Sequence, residues 1–486
     1  MRYIIDIETD GLDPSVIWCV VVRSVDNKDV RVFLQKHDFE AWYISSKPEA
    51  LIGHNIVAFD LPVLNKLWGL TLPLSFPQAI DTFVVSRLVE YKRHSTHSLD
   101  ELGTKLGYPK VEFDDWSQLT QEMIDYCTSD TEVNLKIYER LARHVDDESW
   151  KEAMFIEHWM HNNCSRMREN GFYFNATLAK NRLEKIEQEI FGLENEMHSQ
   201  IEPFEREANP IKFSITKSGV PNSHVLNSYE TYHRCVVEDG WLRRFKLVPF
   251  NPGSTKDRIE KLWEYGWKPV ERSDTHNEWR LKAEIGGMWR KTRITPKFYK
   301  EKQEYFEYYG WTVNETNLET LPADAPAGAR SLAKWLTLDG RRKALRERLD
   351  NFGDDYRIHT NFWFIGSWTG RMSHSSPNLA NISSPFHGEP TSPVEEVKAT
   401  YDADMRRMFT VESGFLVGTD AESIQLRILA HYLRNDEYVH AILEGNKADE
   451  TDIHNVNRRA LGLSHLTRDH AKTFIYAWLL GAGVEK

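Results

Sequence analysis

The sequence predicts an α/β domain at the N-terminus, followed by a mainly helical region. Two stretches predict strands: Arg2–Glu8 alternates apolar and polar side chains, and Ile17–Val22 is a short apolar run rich in β-branched residues. Apolar residues then recur at helical spacing, which predicts helices near 59–67, 83–91, 97–106 and 118–143. Strands first and helices afterwards favour an α/β domain.

The composition changes beyond this first domain. A helical pattern with long charged side chains covers about 150–200, which places a domain boundary near residue 148. Residues 200–248 contain three prolines, and we expect a loop-rich insert there. A second insert of the same kind is predicted over about 268–330.

Length and charge limit the classes of protein that fit. The 486 residues are enough for about three domains of ordinary size. Asp and Glu outnumber Lys and Arg by 73 to 61, and the net charge of −12 argues against a protein that coats phosphate backbones without selectivity. An enzyme that acts on nucleic acid remains compatible with this charge, because it needs only a local basic channel.

The sequence shows no signal for membranes, export or structural metal. It lacks an apolar run of about 18 residues, and its N-terminus turns acidic too early for a secretory signal. The four cysteines lie far apart, without the paired spacing of a zinc site or a disulfide framework. We therefore expect a cytoplasmic protein without a membrane partner.

Three acidic segments follow one another in the first domain. Asp6 and Glu8 lie two apart in a predicted strand, so their carboxylates project from one face and can share a cation. Asp60 ends a later Gly-His-Asn segment, and Tyr126 and Asp130 lie four apart on one face of a predicted helix. Acids at a strand end are often only solvated, but three such segments in order are far more specific.

These segments resemble the proofreading exonucleases of the DEDDy type, over roughly the first 145 residues. The resemblance implies an RNase H-like mixed sheet and hydrolysis of DNA from its 3′ end. It also implies that Asp6, Glu8, Asp60 and Asp130 hold two Mg²⁺ ions, which Mn²⁺ can replace, and that Tyr126 orients the attacking water. His54 and Asn55 either belong to this site or only fix their loop.

A second pattern lies near the end of the sequence. Arg468, Lys472, Tyr476 and Leu480 follow one another at steps of four, which places them on a single stripe of a predicted helix. Two cations followed by an aromatic ring suit a nucleoside triphosphate. The stripe taken alone fits equally well with a solvated face anchored by one ring.

Four further segments change that balance, and they are Thr369–Ser373, Ser376–Asn381, Gly418–Arg427 and Asp452–His454. In this order they resemble the family A (Pol I-type) DNA polymerases, with the closest likeness to the replicative polymerases of podophages. The resemblance implies a mainly α thumb and an incomplete α+β palm and fingers of the right-hand polymerase fold. The implied divisions are 1–148 (3′–5′ exonuclease), 149–365 (thumb with both inserts), 366–440 (partial palm) and 441–486 (partial fingers).

The resemblance also implies roles in DNA synthesis for individual residues. Asp420 and the carbonyl of Ala421 would bind metal, and Lys472 and Arg468 would neutralise the triphosphate, with Lys472 protonating the leaving pyrophosphate. The remaining assignments are His454 to a phosphate oxygen, Tyr476 to the incoming sugar, and Arg371 and Asn381 to the minor groove of primer–template DNA. The expected ligands are therefore primer–template DNA and dNTPs, in the cytoplasm of a host cell if the protein is viral.

Two positions depart from the family pattern. Gln425 stands where the family usually has Glu, so steric exclusion of ribose is kept and an ionic contact is lost. Leu480 stands where the family usually has Tyr, so the aromatic face beside the template is lost.

The family also uses a second catalytic Asp on a His-Asp-Glu hairpin beyond the nucleotide helix, and no such segment follows Gly481. We therefore expect the N-terminal subunit of a split polymerase, or a truncated one, which needs a second polypeptide with the remaining palm and fingers. The alternative is a stand-alone 3′–5′ exonuclease whose polymerase-like part only binds DNA. The insert at 200–248 lies where some phage relatives dock a processivity factor, which leaves such a partner open.

Overall fold

A computed structural model describes residues 1–267, 271–273, 276, 305, 307–322, 324–462, 465–479 and 481. The chain forms two compact units, Met1–Ser413 and Gly414–Lys486. Within the described residues, no helix is long and apolar enough to cross a membrane.

A five-stranded mixed sheet forms the centre of the N-terminal region. Its strands are β1 (Arg2–Thr9), β2 (Ile17–Ser24), β3 (Val30–Phe33), β4 (Ala50–Gly53) and β5 (Ala79–Asp81). The order across the sheet is β3-β2-β1-β4-β5. β1 pairs antiparallel with β2 and parallel with β4, which places β1 in the middle. This confirms the predicted α/β fold with a mixed sheet.

Helices cover both faces of this sheet. They are α1 (Lys36–Ser46), α2 (Asp60–Trp68), α3 (Thr82–Glu90), α4 (Leu99–Leu106) and α5 (Gln121–Val145). Since successive strand residues point to opposite faces, Ile5 and Ile4 of β1 belong to different apolar clusters. The second cluster contains Val133 and Ile137 of α5, so α5 packs on the face of β1 that also carries Asp6 and Glu8.

The region after the sheet is mainly helical, as predicted. It contains α6 (Lys151–Asn170), β6 (Phe172–Phe174), α7 (Ala176–Gln200), α8 (Ser223–Thr231), α9 (Thr255–Glu264), α10 (Glu315–Leu318) and α11 (Ala327–Asp350). The long helices α7 and α11 pack together around Ile186, Ile190 and Leu338, which are fully buried or nearly so. Their cluster is the largest apolar core of the molecule's described residues.

The prediction of a loop-rich insert over 200–248 is wrong. This segment forms a three-stranded antiparallel sheet of β7 (Phe204–Lys212), β8 (Arg234–Glu238) and β9 (Trp241–Val248), with β9 in the centre. Its prolines do not prevent pairing, because Pro210 lies on the edge strand β7 at a register shift between Ala208 and Ile211. Most of the second predicted insert, 268–330, lies outside the described residues.

Short strands and one helix complete the first unit. They are β10 (Arg357–Ile358), β11 (Asn361–Trp363), β12 (Ser373–Ser375), α12 (Pro393–Arg407) and β13 (Phe409–Thr410). β10, β6 and β13 form one small sheet, and β11 pairs with β12. The Thr369–Ser373 segment therefore connects two paired strands.

The second unit consists of helices in its described part, 414–462, 465–479 and 481. They are α13 (Ile424–Leu433), α14 (Asp436–Leu443), α15 (Ile453–Ala460) and α16 (Arg468–Leu479). The helix α14 runs across the predicted palm–fingers division at 440/441. Leu426, Ala441 and Ile453 form the small buried core of the second unit.

Candidate functional site

The N-terminal sheet brings the predicted acids together from three elements. Asp6 and Glu8 lie on the central strand β1, and Asp60 is the first residue of α2. Asp130 lies on α5, one turn after Tyr126. Glu8, Asp60 and Asp130 are buried, and Asp6 is partly exposed.

The electrostatics of these acids show that they share one small region. Burial raises the pKa of Asp6 well above its ordinary value, and the negative charges of Glu8, Asp60 and Asp130 add to the shift. Burial also raises the pKa of Glu8 to about 9 and that of Asp60 to about 7. Acids that repel each other in a desolvated place are stabilised by protons or by cations.

This arrangement fits divalent metal ions. Ligand atoms of Asp6, Glu8 and Cys127 all lie within 4.8 Å of one another. One carboxylate oxygen of Asp130, Oδ1, is buried without a hydrogen-bond partner, so it is free to bind a cation. Carboxylate oxygens are the ligands that Mg²⁺ and Mn²⁺ prefer.

Lys110 is a site residue that sequence reasoning missed. Its ammonium lies 2.7 Å from Oδ2 of Asp130 and 4.8 Å from the centre of the Tyr126 ring. Lys110 belongs to the irregular segment between α4 and α5, where no periodic pattern marks a residue as functional. Only the folding of that segment over the acids brings the charge into the site.

The same segment fixes the ring of Tyr126. Phe113 and Trp116 pack against it with ring centres 5.3 and 5.7 Å away. Trp18 of β2 donates a hydrogen bond of 3.1 Å to the carbonyl of Trp116 and so ties the segment to the sheet. Burial raises the pKa of Tyr126 to about 12, so the hydroxyl keeps its proton at neutral pH.

Cys127 is the second missed residue. Its thiol donates to Oδ2 of Asp6 at 3.3 Å, which fixes the orientation of that carboxylate. The spacing could have revealed it, because Cys127 and Asp130 are three apart on a helix and therefore share a face.

His54 and Asn55 fix the loop that leads to Asp60. Nδ1 of His54 lies 3.0 Å from the hydroxyl of Thr82, and burial lowers the His54 pKa to about 3. Asn55 donates its backbone N–H to Asp81, and its side-chain oxygen lies 2.8 Å from Nε2 of His161. These contacts are internal, so they favour the structural alternative for both residues.

Arg371 and Asn381 lie on the surface of the first unit. Arg371 follows the turn between β11 and β12, and its carbonyl accepts a hydrogen bond of 2.7 Å from Gly366. Asn381 is also exposed, close to β12. Both side chains are accessible to a large ligand such as DNA.

In the second unit, the residues predicted to bind the triphosphate lie on two helices. Arg468, Lys472 and Tyr476 lie on α16, and Nε of Arg468 donates to Asp452 at 2.9 Å. His454 is buried at the start of α15, with its ring centre 6.1 Å from that of Tyr476. Burial, together with the charge of Arg468, lowers the His454 pKa. Leu480 lies outside the described residues.

The residues around Asp420 do not form a metal site by themselves. Asp420, Ala421 and Gln425 are exposed, and among the described residues Asp420 belongs to no cluster of three metal-binding side chains. The segment before it is unpaired and apolar, with Phe415 94% and Val417 87% exposed. Asp420 therefore closely follows an exposed apolar segment, and its role in metal binding stays a prediction.

Comparison with protein families finds matches to two parts of the chain. Residues 3–142 match the RNase_H superfamily, and residues 291–486 match DNA polymerase family A. The chain contains a family A DNA polymerase domain. An RNase H-like domain precedes this polymerase domain, and it holds the cluster of acids described above.

Proteins similar to this chain are found in phages and bacteria. The DNA-directed DNA polymerases of Escherichia phage T7 and Enterobacteria phage T3 are each 27% identical, over 99% of this chain and 76% of the phage proteins. DNA polymerase I of Thermus aquaticus is 32% identical over 27% of this chain and 14% of its own length. The solved POL domain of Pol1 from M. smegmatis, in complex with DNA primer-template and dNTP, has a similar fold. Its TM-score is 0.57 at 18% identity, over 99% of this chain and 67% of that chain.

Proposed function

We propose that this family A polymerase copies DNA and removes mismatched nucleotides with its own 3′–5′ exonuclease. The observation that carries the nuclease is the convergence of Asp6, Glu8, Asp60 and Asp130 beside Tyr126 on one face of the sheet. The polymerase domain in the same chain makes proofreading the natural use of this site.

In the proposed nuclease, the protein supplies four carboxylates that would bind metal ions and the fixed hydroxyl of Tyr126. The four carboxylates would hold two Mg²⁺ or Mn²⁺ ions, which supply an activated water and stabilise the leaving 3′ oxygen. Tyr126 keeps its proton, so its hydroxyl can donate to or accept from the attacking water and hold it in line with the phosphate. Phe113 and Trp116 keep the ring in place, and Cys127 keeps the Asp6 carboxylate turned into the site.

For DNA synthesis, α16 and α15 of the second unit would bind the dNTP. Arg468 and Lys472 place two cations on one stripe for the triphosphate, and Asp452 holds the Arg468 guanidinium in position. His454 would meet a phosphate oxygen, and Tyr476 would lie against the sugar. Gln425 and Leu480 are proposed to border the sugar and the template.

DNA synthesis would also need a second metal-binding carboxylate beside Asp420. We propose that a second polypeptide carries it, on a palm segment that pairs with residues 415–420. The exposed Phe415 and Val417 support this, because an exposed apolar segment is stable only when another strand or core covers it. Arg371 and Asn381 would hold the primer–template duplex.

The exposure of Asp420 also favours the alternative of an exonuclease whose polymerase-like part only binds DNA. The two functions are separated by mixing the chain with a candidate C-terminal polypeptide of about 150–250 residues and measuring primer extension. Template-dependent extension by the mixture supports the split polymerase. Stable DNA binding and exonuclease activity without extension by any mixture support the alternative.

The nuclease is tested by release of nucleotides from a 3′-labelled single strand in Mg²⁺. Replacing both Asp6 and Glu8 by Ala should abolish the reaction. Tyr126→Phe should slow it roughly 100-fold, because the hydroxyl that orients the attacking water is lost. Tyr138→Phe is the matched control, since Tyr138 lies on the same helix but bonds to Arg2 away from the acids. Equal rates for Tyr126→Phe and Tyr138→Phe would contradict the assignment of Tyr126.

A further inference from the structure

Lys110 stands among acids that the nuclease mechanism assigns to metal ions. Its ammonium is 2.7 Å from Asp130 Oδ2, and 29% of the Lys110 side chain but only 4% of the Asp130 side chain is exposed. The acid therefore depends on this lysine for its positive partner, whereas the lysine keeps contact with solvent.

The ion pair between Lys110 and Asp130 does not satisfy all the acidic groups of the site. Asp130 Oδ1 has no hydrogen-bond partner, and burial together with neighbouring carboxylates leaves Asp6 and Glu8 unfavourable as anions. The ammonium of Lys110 forms an ion pair with Asp130, and it forms none with Asp6, Glu8 or Asp60. A divalent cation bound to Asp130 would share that carboxylate with Lys110 Nζ, so the two positive charges would compete for it.

The lysine can leave without unfolding its surroundings. Its segment is attached at other points: Tyr108 donates its backbone N–H to Gly103 at 2.9 Å, and the Trp116 carbonyl accepts from Trp18. The flexible side chain of Lys110 can therefore swing towards solvent while Phe113 and Trp116 stay against Tyr126.

We propose that Lys110 is a built-in counter-ion of the exonuclease site, which occupies Asp130 in the metal-free protein and is displaced by the metal ion on that side. The inference rests on the proposed nuclease, because it assigns Asp130 to a metal ion. Lys110 thus sets how much metal the site requires. It is a positioning residue for Asp130 and acts on the reaction through metal binding.

Calorimetric titration of the full chain with Mn²⁺ alone tests this. Lys110→Met should tighten the weaker Mn²⁺ site by roughly tenfold, because the ion no longer competes with an ammonium for one carboxylate. Lys110→Arg, which keeps the charge, should stay near the wild-type affinity. Mn²⁺ should also raise the melting temperature of Lys110→Met by more than that of the wild type, because the metal-free variant lacks its counter-ion.

Lys105→Met is the matched control for the general effect of removing a positive charge nearby. Lys105 lies on α4, five residues before Lys110, and pairs with Glu101 at 2.6 Å. Unchanged Mn²⁺ affinity in Lys110→Met, or equal tightening in Lys105→Met, would overturn the proposal. A wild-type chain that binds Mn²⁺ no better than the Asp6→Ala variant would instead refute the nuclease site itself.

Discussion

At the scale of single residues, the buried histidine His158 helps to hold the sheet edge near the acid cluster, and its hydrogen-bond partners fix its protonation state. His158 is fully buried, its Nε2 accepts a hydrogen bond of 2.8 Å from the backbone of Asp81, and Nδ1 lies 2.7 Å from the carbonyl of Met154. An acceptor at Nε2 and a donor at Nδ1 require the neutral ring. Burial accordingly lowers the His158 pKa to about 4.

This depressed pKa predicts loss of stability in acid. The folded protein holds His158 neutral while the unfolded chain binds a proton below about pH 6.5, so the contribution is full above pH 6.5 and falls as the pH drops towards 4. The loss amounts to about 3 kcal/mol for this fully buried ring. The melting temperature of His158→Gln should therefore fall less than that of the wild type between pH 6.5 and 4. Parallel curves for the two proteins would contradict this.

At the scale of elements, the packing of α4 on α5 positions the Asp130 helix. Gly103 of α4 is buried where a Cβ would come within 2.6 Å of Val133 on α5 and 2.5 Å of the Tyr108 carbonyl. The first contact fixes the helix that carries Asp130, and the second fixes the segment that carries Lys110. A side chain at this position would push both away from the acids.

Gly103→Ala should therefore destabilise the protein by about 1–3 kcal/mol, as overpacking of a tight contact does. It should also weaken Mn²⁺ binding at the acid cluster. Gly192→Ala on α7 is the control, since its Cβ would meet no atom within 4 Å, and replacing a helical Gly there should stabilise by about 0.5–1 kcal/mol. Differential scanning calorimetry measures both changes. A Gly103→Ala protein as stable as the wild type would show that α4 can move.

The elements also show what the sequence can and cannot predict. β1, β2 and α2 to α5 were predictable because each carries its own apolar period over many residues. The strands β3 to β5 contain only three or four residues, too few for a period to be visible. The sheet at 204–248 was missed because prolines normally indicate loops, and only pairing across the chain places Pro210 at an edge.

The same division holds for the functional residues. Spacing along one strand and one helix paired Asp6 with Glu8 and Tyr126 with Asp130, and the resemblance then implied their roles. Lys110 was not predictable in this way, because its place depends on how an irregular segment crosses residues far along the chain. The assignments around Asp420 stay predictions, since the described part of the second unit shows the residue exposed and without clustered acids.

At the scale of the whole molecule, the RNase H-like domain holds the loop that carries Arg371. Arg87 of α3 donates to the carbonyl of Ile365 at 2.5 Å, and its guanidinium lies 5.7 Å from the Trp363 ring centre. The Tyr91 hydroxyl donates to Gly366 at 3.1 Å. The RNase H-like domain thus supports the loop of Arg371, the residue proposed to contact DNA.

Arg87→Ala should release this loop without disturbing the acids. We expect faster amide hydrogen exchange over 361–371 and primer–template binding weakened by roughly threefold to tenfold, because the loop must be ordered again when DNA binds. Cleavage of a short single strand should stay at the wild-type rate, since Arg87 does not contact the carboxylates. Arg93→Ala is the control: Arg93 follows the same helix, and its side chain pairs with Glu90. If exchange and duplex affinity in Arg87→Ala match those of Arg93→Ala, the loop is held by its own strands and not by Arg87.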